Sequence, residues 1–139
     1  MSREIKFRGK RKDNGGTVYG SLSMGGGCPP HYDKTRTFIE PNEPVLRRIE
    51  VHPGTVGEFA GLHDKNGVEI YEGDKTTMLE NFDDEGVYAE CGTIVWDVKR
   101  CCFLWDYQNK HNEFWTLDEM GPIEVIGNIH ETPADGRTN

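Results

Sequence analysis

Between Gly61 and Asp74 the chain reads Gly-Leu-His-Asp-Lys-Asn-Gly-Val-Glu-Ile-Tyr-Glu-Gly-Asp, and few backbones accommodate such a run. Asn66-Gly67 lies between Leu62 and the cluster Val68, Ile70 and Tyr71. A two-residue hairpin turn of type I′ needs positive φ at both central residues, and Asn-Gly meets that need at low steric cost. Gly73-Asp74 follows and reads as the corner that ends the returning strand. The run therefore predicts a hairpin and a corner. Its carboxylates, Asp64, Glu69, Glu72 and Asp74, invite a second reading as a metal or acid–base cluster. An EF-hand loop needs ligands at alternate positions, a glycine at the sixth and a glutamate at the twelfth, and that spacing is missing. Turn chemistry is the better account.

The rest of the chain favours the same kind of structure. Seventeen glycines and seven prolines in 139 residues, with 35% apolar residues, point to a turn-rich protein rather than a helical bundle. The fold expected is mainly β, with antiparallel hairpins and a meander forming a compact barrel- or sandwich-like domain, and short helical turns at most. One domain over residues 1–131 is expected, or two small β lobes, 1–60 and 61–131, with a frayed tail over 132–139.

Ile5-Lys6-Phe7-Arg8 alternates apolar and basic residues as a half-buried strand does. A turn at Asp13-Asn14-Gly15-Gly16 leads to a return strand at Thr17-Val18-Tyr19. Residues 23–33 read as a surface loop. Thr37–Glu40 and Pro44–His52 are strand candidates. Thr55 and Glu58 match a capping box, which predicts one helical turn. Residues 75–90 carry Glu80, Asp83, Asp84, Glu85 and Glu90 and read as a solvated acidic loop or irregular edge. Ile94, Trp96 and Val98 share one strand face, and Cys101, Phe103, Trp105 and Tyr107 share a face of the next, so a turn near Lys99-Arg100 makes them a hairpin. Phe114–Leu117 and Ile123–Ile129 continue and close the meander. Trp96, Trp105 and Trp115 recur at the pitch of short antiparallel strands and read as core. Asp97, Asp106, Glu113 and Asp118 beside them argue against a nucleic-acid stacking platform.

Charge is uneven. Arg3, Lys6, Arg8, Lys10, Arg11 and Lys12 stand against Glu4 alone, so residues 1–12 carry +5 within a chain of formal charge −8. Those six cations are the candidate nucleic-acid contacts; the alternative is that they are solvated edge-strand residues that discourage aggregation. Met24-Gly25-Gly26-Gly27-Cys28-Pro29-Pro30 lacks the Gly-Lys-Ser/Thr of a phosphate loop. Cys28, Cys91, Cys101 and Cys102 contain no Cys-x-x-Cys pair, so free thiols in a reducing cytoplasm are expected. No cofactor, metal site or catalytic residue is assigned. A hydrolase using His52, His63 or His111 with a nearby carboxylate is the enzymatic alternative. The start has no apolar signal region, and no run approaches a membrane span.

The chain resembles the YopX family of phage and prophage proteins. The resemblance rests on Ile5-Lys6-Phe7-Arg8-Gly9-Lys10, on Thr55-Val56-Gly57-Glu58-Phe59, and most on Gly61-Leu62 through Asp64-Lys65-Asn66-Gly67 to Ile70-Tyr71-Glu72-Gly73-Asp74. Glu124-Val125-Ile126-Gly127-Asn128-Ile129-His130-Glu131 resembles the closing strand. Lys75, where such proteins usually continue with an apolar residue, and the acidic segment through Glu90 depart from the pattern. The resemblance implies a mainly β protein of temperate-phage origin and supplies no catalytic residue. The function expected is that of a non-enzymatic accessory protein in the bacterial host cytoplasm, acting by protein binding or self-assembly. Its expected partners are further copies of itself and a phage or host protein, with nucleic acid through the basic segment as the alternative and no membrane.

Overall fold

The computed structural model describes residues 4–41, 47–82, 86–107, 114–117 and 123–130. Arg3, residues 42–46, His111 and the tail from 131 lie outside them. The chain divides into two compact units, Met1–Phe59 and Ala60–Asn139. The architecture is mainly β, built of antiparallel strands in two open sheets.

In the first unit β1 (Phe7–Lys10), β2 (Thr17–Gly26), β3 (Asp33–Glu40) and β4 (Ile49–Val51) form hairpins, and β5 (Gly57–His63) begins on the far side of β1. The order is β4-β3-β2-β1-β5. The register places Leu22 opposite Ile39 and Ile39 opposite Ile49, so these side chains share one face. Val18, Ile39 and Val51 form that face's core, with Phe7, Ile49 and Val56 packed on it. The other face carries Phe38, opposite both Ser23 and Glu50.

The second unit continues along β5 into β6 (Glu69–Tyr71), the sixth strand of the first sheet. The second sheet has the order β10-β9-β8-β7-β11, from β7 (Asp74–Phe82), β8 (Gly86–Asp97), β9 (Cys102–Tyr107), β10 (Phe114–Thr116) and β11 (Ile123–Asn128). Ile70, Ile94, Phe103, Trp105 and Ile123 make this unit's core, with Ala60, Leu117 and Val125 against it. Trp105 is fully buried, and its indole Nε1–H donates to Thr76 Oγ1 at 2.7 Å. The Thr76 hydroxyl in turn donates to the Gly92 carbonyl at 3.2 Å. A buried indole N–H without a partner is costly, so this relay fixes the ring while satisfying three polar groups. It also demands glycine at 92, since a Cβ there would lie 2.3 Å from the Trp105 ring.

Several expectations change. The turn after β5 is not type I′. Gly67 N–H donates to the Asp64 carbonyl at 3.0 Å, which makes Lys65 and Asn66 the central residues. Gly67 alone takes the left-handed conformation, at φ +84°. This is a turn closed by a left-handed glycine, a longer connection than the two-residue hairpin expected. The capping-box helix is also absent. A 3₁₀ turn occupies Pro53–Thr55, and the Thr55 hydroxyl donates back to the His52 carbonyl at 2.6 Å while accepting Lys10 N–H at 2.9 Å. Glu58 is already in β5.

Residues 75–82 and 86–90 belong to strands β7 and β8 rather than to a loop, paired from Lys75↔Thr93 to Phe82↔Gly86, and Asp83, Asp84 and Glu85 lie outside the described residues. Backbone pairing is indifferent to side-chain charge, and Thr76, Thr77, Val87 and Tyr88 carry the β preference that the acids obscured. β2 likewise runs on through Gly26, with a register shift between Met24 and Gly26, so the loop shortens to residues 27–32. Cys101 sits in the turn before β9 at φ +52° instead of on its face. Trp96 packs edge-on against Phe103 at 4.9 Å but stays 42% exposed, so it rims the core that Trp105 fills.

Gly67→Val and Gly92→Ala separate two uses of glycine. Nothing lies within 4 Å of a Cβ at position 67, so Val there should cost about 1–2 kcal/mol through backbone conformation alone. Gly92→Ala should cost about 1–3 kcal/mol by overpacking, and Trp105→Phe should partly restore it, whereas it should not restore Gly67→Val. Urea unfolding of the four variants checks both.

Candidate functional site

Two of the four carboxylates of the Gly61–Asp74 run, Asp64 and Asp74, are committed to backbone. Asp64 Oδ1 accepts the Asn66 and Val68 N–H groups at 2.8 and 2.9 Å, and its Oδ2 accepts Val125 N–H at 2.9 Å. Burial alone would push this carboxyl up, but the N–H donors of Val125, Val68 and Asn66 hold it below the usual range. Asp74, almost fully buried, accepts Tyr71 N–H at 2.7 Å and so closes the corner. Glu69 accepts the Tyr71 hydroxyl at 3.1 Å. Among the described residues no group of three or more His, Cys, Asp or Glu side chains is placed to hold a metal ion. His52 and His63 are exposed, the first against the 3₁₀ turn and the second at the end of β5.

The N-terminal cations do not form one free strip. Lys6 pairs with Glu4 at 3.3 Å and lies 5.4 Å over the Phe59 ring. Arg8 is buried at 6% exposure, opposite Tyr19 and Gly57. Arg11 grips Asp13 with two bonds, at 2.9 and 2.7 Å. Lys12 reaches Glu50 at 3.4 Å. Lys10 is half-buried. Local acids thus neutralise most of this segment, which is what strand alternation between facing charges produces.

A different set of cations gathers at the β4 edge. Arg36 forms a two-bond pair with Glu50, Nε to Oε2 at 3.0 Å and the terminal amine to Oε1 at 2.9 Å. Arg36 and Arg48 stand 5.1 and 3.8 Å from the Phe38 ring centre, and Arg48 also donates to the Gly25 carbonyl. Phe38 is therefore buried under guanidinium groups rather than apolar ones. Arg47 beside them is exposed and has no partner among the described residues. Lys12, Asp13, Arg47, Arg48, Ile49 and Glu50 line an open concavity of about 300 Å³. Residue order does not reveal this cluster, because Lys12 and Arg36 lie far from Glu50 along the chain and only strand pairing brings them to it.

Hydrogen bonding to Arg36, with Lys12 adding to it, takes the Glu50 carboxyl down from 4.5 to about 2. A carboxyl depressed in the folded state adds stability above its unfolded value and loses it as pH falls through the folded value. The Glu50 contribution is thus present above 4.5 and disappears by about pH 2. Glu50→Gln should flatten the stability–pH curve across that window, read by thermal unfolding from neutral pH downward. Asp64→Asn should cost about 1–3 kcal/mol at neutral pH, because the side chain loses a carboxylate acceptor for a buried N–H. That cost should shrink on acidification, since the wild-type carboxylate loses its advantage as it protonates.

Comparison with known proteins places the chain. No curated protein matches it. Among solved structures it is similar to the crystal structure of protein EF1440 from Enterococcus faecalis, at 20% identity and a TM-score of 0.49, over 98% of this chain and 100% of the other. The family model described as YopX protein matches residues 6–134, through both units and nearly the whole chain. The chain therefore belongs to the YopX family.

Proposed function

We propose that this is a non-enzymatic accessory protein of phage or prophage origin, acting in the bacterial host cytoplasm by binding protein, including further copies of itself. One observation carries the reading: charge is segregated between the compact units. Residues 1–59 hold ten Lys and Arg against seven Asp and Glu, net +3, while residues 60–139 hold six against seventeen, net −11. Surfaces of opposite sign steer complementary partners together and select against like-charged ones. A second unit of −11 disfavours a polyanion as the principal partner, and Glu4, Asp13 and Glu50 already occupy much of the N-terminal basic segment. The carboxylates best placed for chemistry, Asp64 and Asp74, serve backbone N–H groups instead.

Sedimentation of the full chain should reveal self-association at about 0.05 M NaCl that weakens at about 1 M, where charge interactions are screened within about 3 Å. A strict monomer at both salt levels would remove self-assembly. Failure of the immobilised protein to retain any specific phage or host protein from induced cells would then remove the binding role itself.

A further inference from the structure

The concavity at the β4 edge is a site that the binding role above does not require. Its walls hold two carboxylates, and each is already spoken for. Asp13 is held by both arms of Arg11, and Glu50 by both arms of Arg36 with Lys12 at 3.4 Å. One Glu50 charge thus serves two cations, while Arg47 and Arg48 add two more with no carboxylate partner among the described residues. Arg48 is held both by the Phe38 ring and by the Gly25 carbonyl, so its planar group is oriented before any ligand arrives. Ile49 supplies an apolar wall. The lining holds three cations against two carboxylates that are already engaged, so it favours a further anion, and guanidinium donors beside an ammonium match a phosphate's several acceptor oxygens.

We propose that this concavity binds a phosphate group, with Arg48 as the oriented donor, Arg47 as the closing arm and Lys12 as the point charge. The cavity of about 300 Å³ accommodates one phosphate and part of what bears it. The phosphate comes from a small phosphorylated molecule or from a nucleic-acid backbone, and both present the same chemistry to these side chains. Ligand entry replaces the weak Lys12–Glu50 contact and leaves the Arg36–Glu50 pair intact. No bond is made or broken.

Titration of the full-length protein with inorganic pyrophosphate at low salt, followed by NMR of backbone amides and arginine Nε–H groups, tests the site. Saturable shifts are expected at Lys12, Arg47, Arg48 and Ile49. Arg47→Ala, which removes no described contact, should weaken binding by about tenfold or more, the loss of a charged hydrogen bond. Arg48→Lys should weaken it with the charge kept, because a lysine cannot hold the stacked fork. Lys34→Ala, an exposed cation on β3, serves as control and should leave binding unchanged. Shifts that never saturate, or equal losses in Arg47→Ala and Lys34→Ala, would mean diffuse charge attraction and overturn the site. A nucleoside monophosphate and a single-stranded oligonucleotide without terminal phosphate then identify the source: Arg47-dependent binding of the first assigns a small ligand, of the second a backbone. Binding of neither, alongside a null pyrophosphate titration, sinks the proposal and leaves protein binding to stand on the sedimentation and retention results.

Discussion

A single carboxylate, Asp64, holds the turn, the hairpin and the closing strand of the second unit together. Its two oxygens accept three backbone N–H groups, two from the turn at Asn66 and Val68 and one from Val125 in β11. Short-stranded sheets leave many N–H groups at turns and edges, and each buried one must find an acceptor. The chain meets this demand repeatedly with the same device. Asn14, Asp33, Asp97 and Asn128 each accept the N–H two residues on, and Asp74 accepts Tyr71 N–H at the corner. Four of the acids, Asp33, Asp64, Asp74 and Asp97, are thus wiring of turns and corners.

That demand shapes which side chains are left for other contacts. Carboxylates spent on backbone are pinned in position and are poor acid–base groups, since their donors favour the charged form. In the first unit the long-range charge contacts fall instead to long side chains. There Glu50 organises Arg36 and Lys12, and Phe38 supplies a flat support for Arg36 and Arg48. The two faces of β3 divide the labour: Ile39 is sealed in the core, while Phe38, its neighbour, is sealed beneath charge.

Much of the fold was legible in residue order. The glycine-bearing turns at Gly15 and Gly67, the Trp96–Phe103 hairpin and the closing strand at Ile123 follow from period and turn chemistry, whereas the first strand begins at Phe7 rather than Ile5, with Ile5 exposed and Arg8 buried. In residues 75–82 and 86–90 acidic composition masks the β preference of Thr76, Thr77, Val87 and Tyr88, yet the backbone ladder of β7 and β8 does not depend on those charges. At Asn66-Gly67 the dipeptide suggested a two-residue turn, but the Asp64 carboxylate draws Asn66 and Val68 into a wider one. The β4 cluster was illegible for a different reason: proximity of Arg36, Arg48 and Phe38 depends on register, which local pattern does not encode.

The sequence by itself determined family, class and turn positions. These are local or compositional matters, in which glycine, asparagine and alternating apolar residues act over a few bonds. Tertiary structure alone decided which charges meet. It gave Asp64 to Val125, sixty-one residues away, placed Trp105 on Thr76 and over Gly92, and brought Arg36 to Glu50. Each of those contacts falls at hydrogen-bond or van der Waals range, where a shift of one residue in strand register turns a side chain to the opposite face.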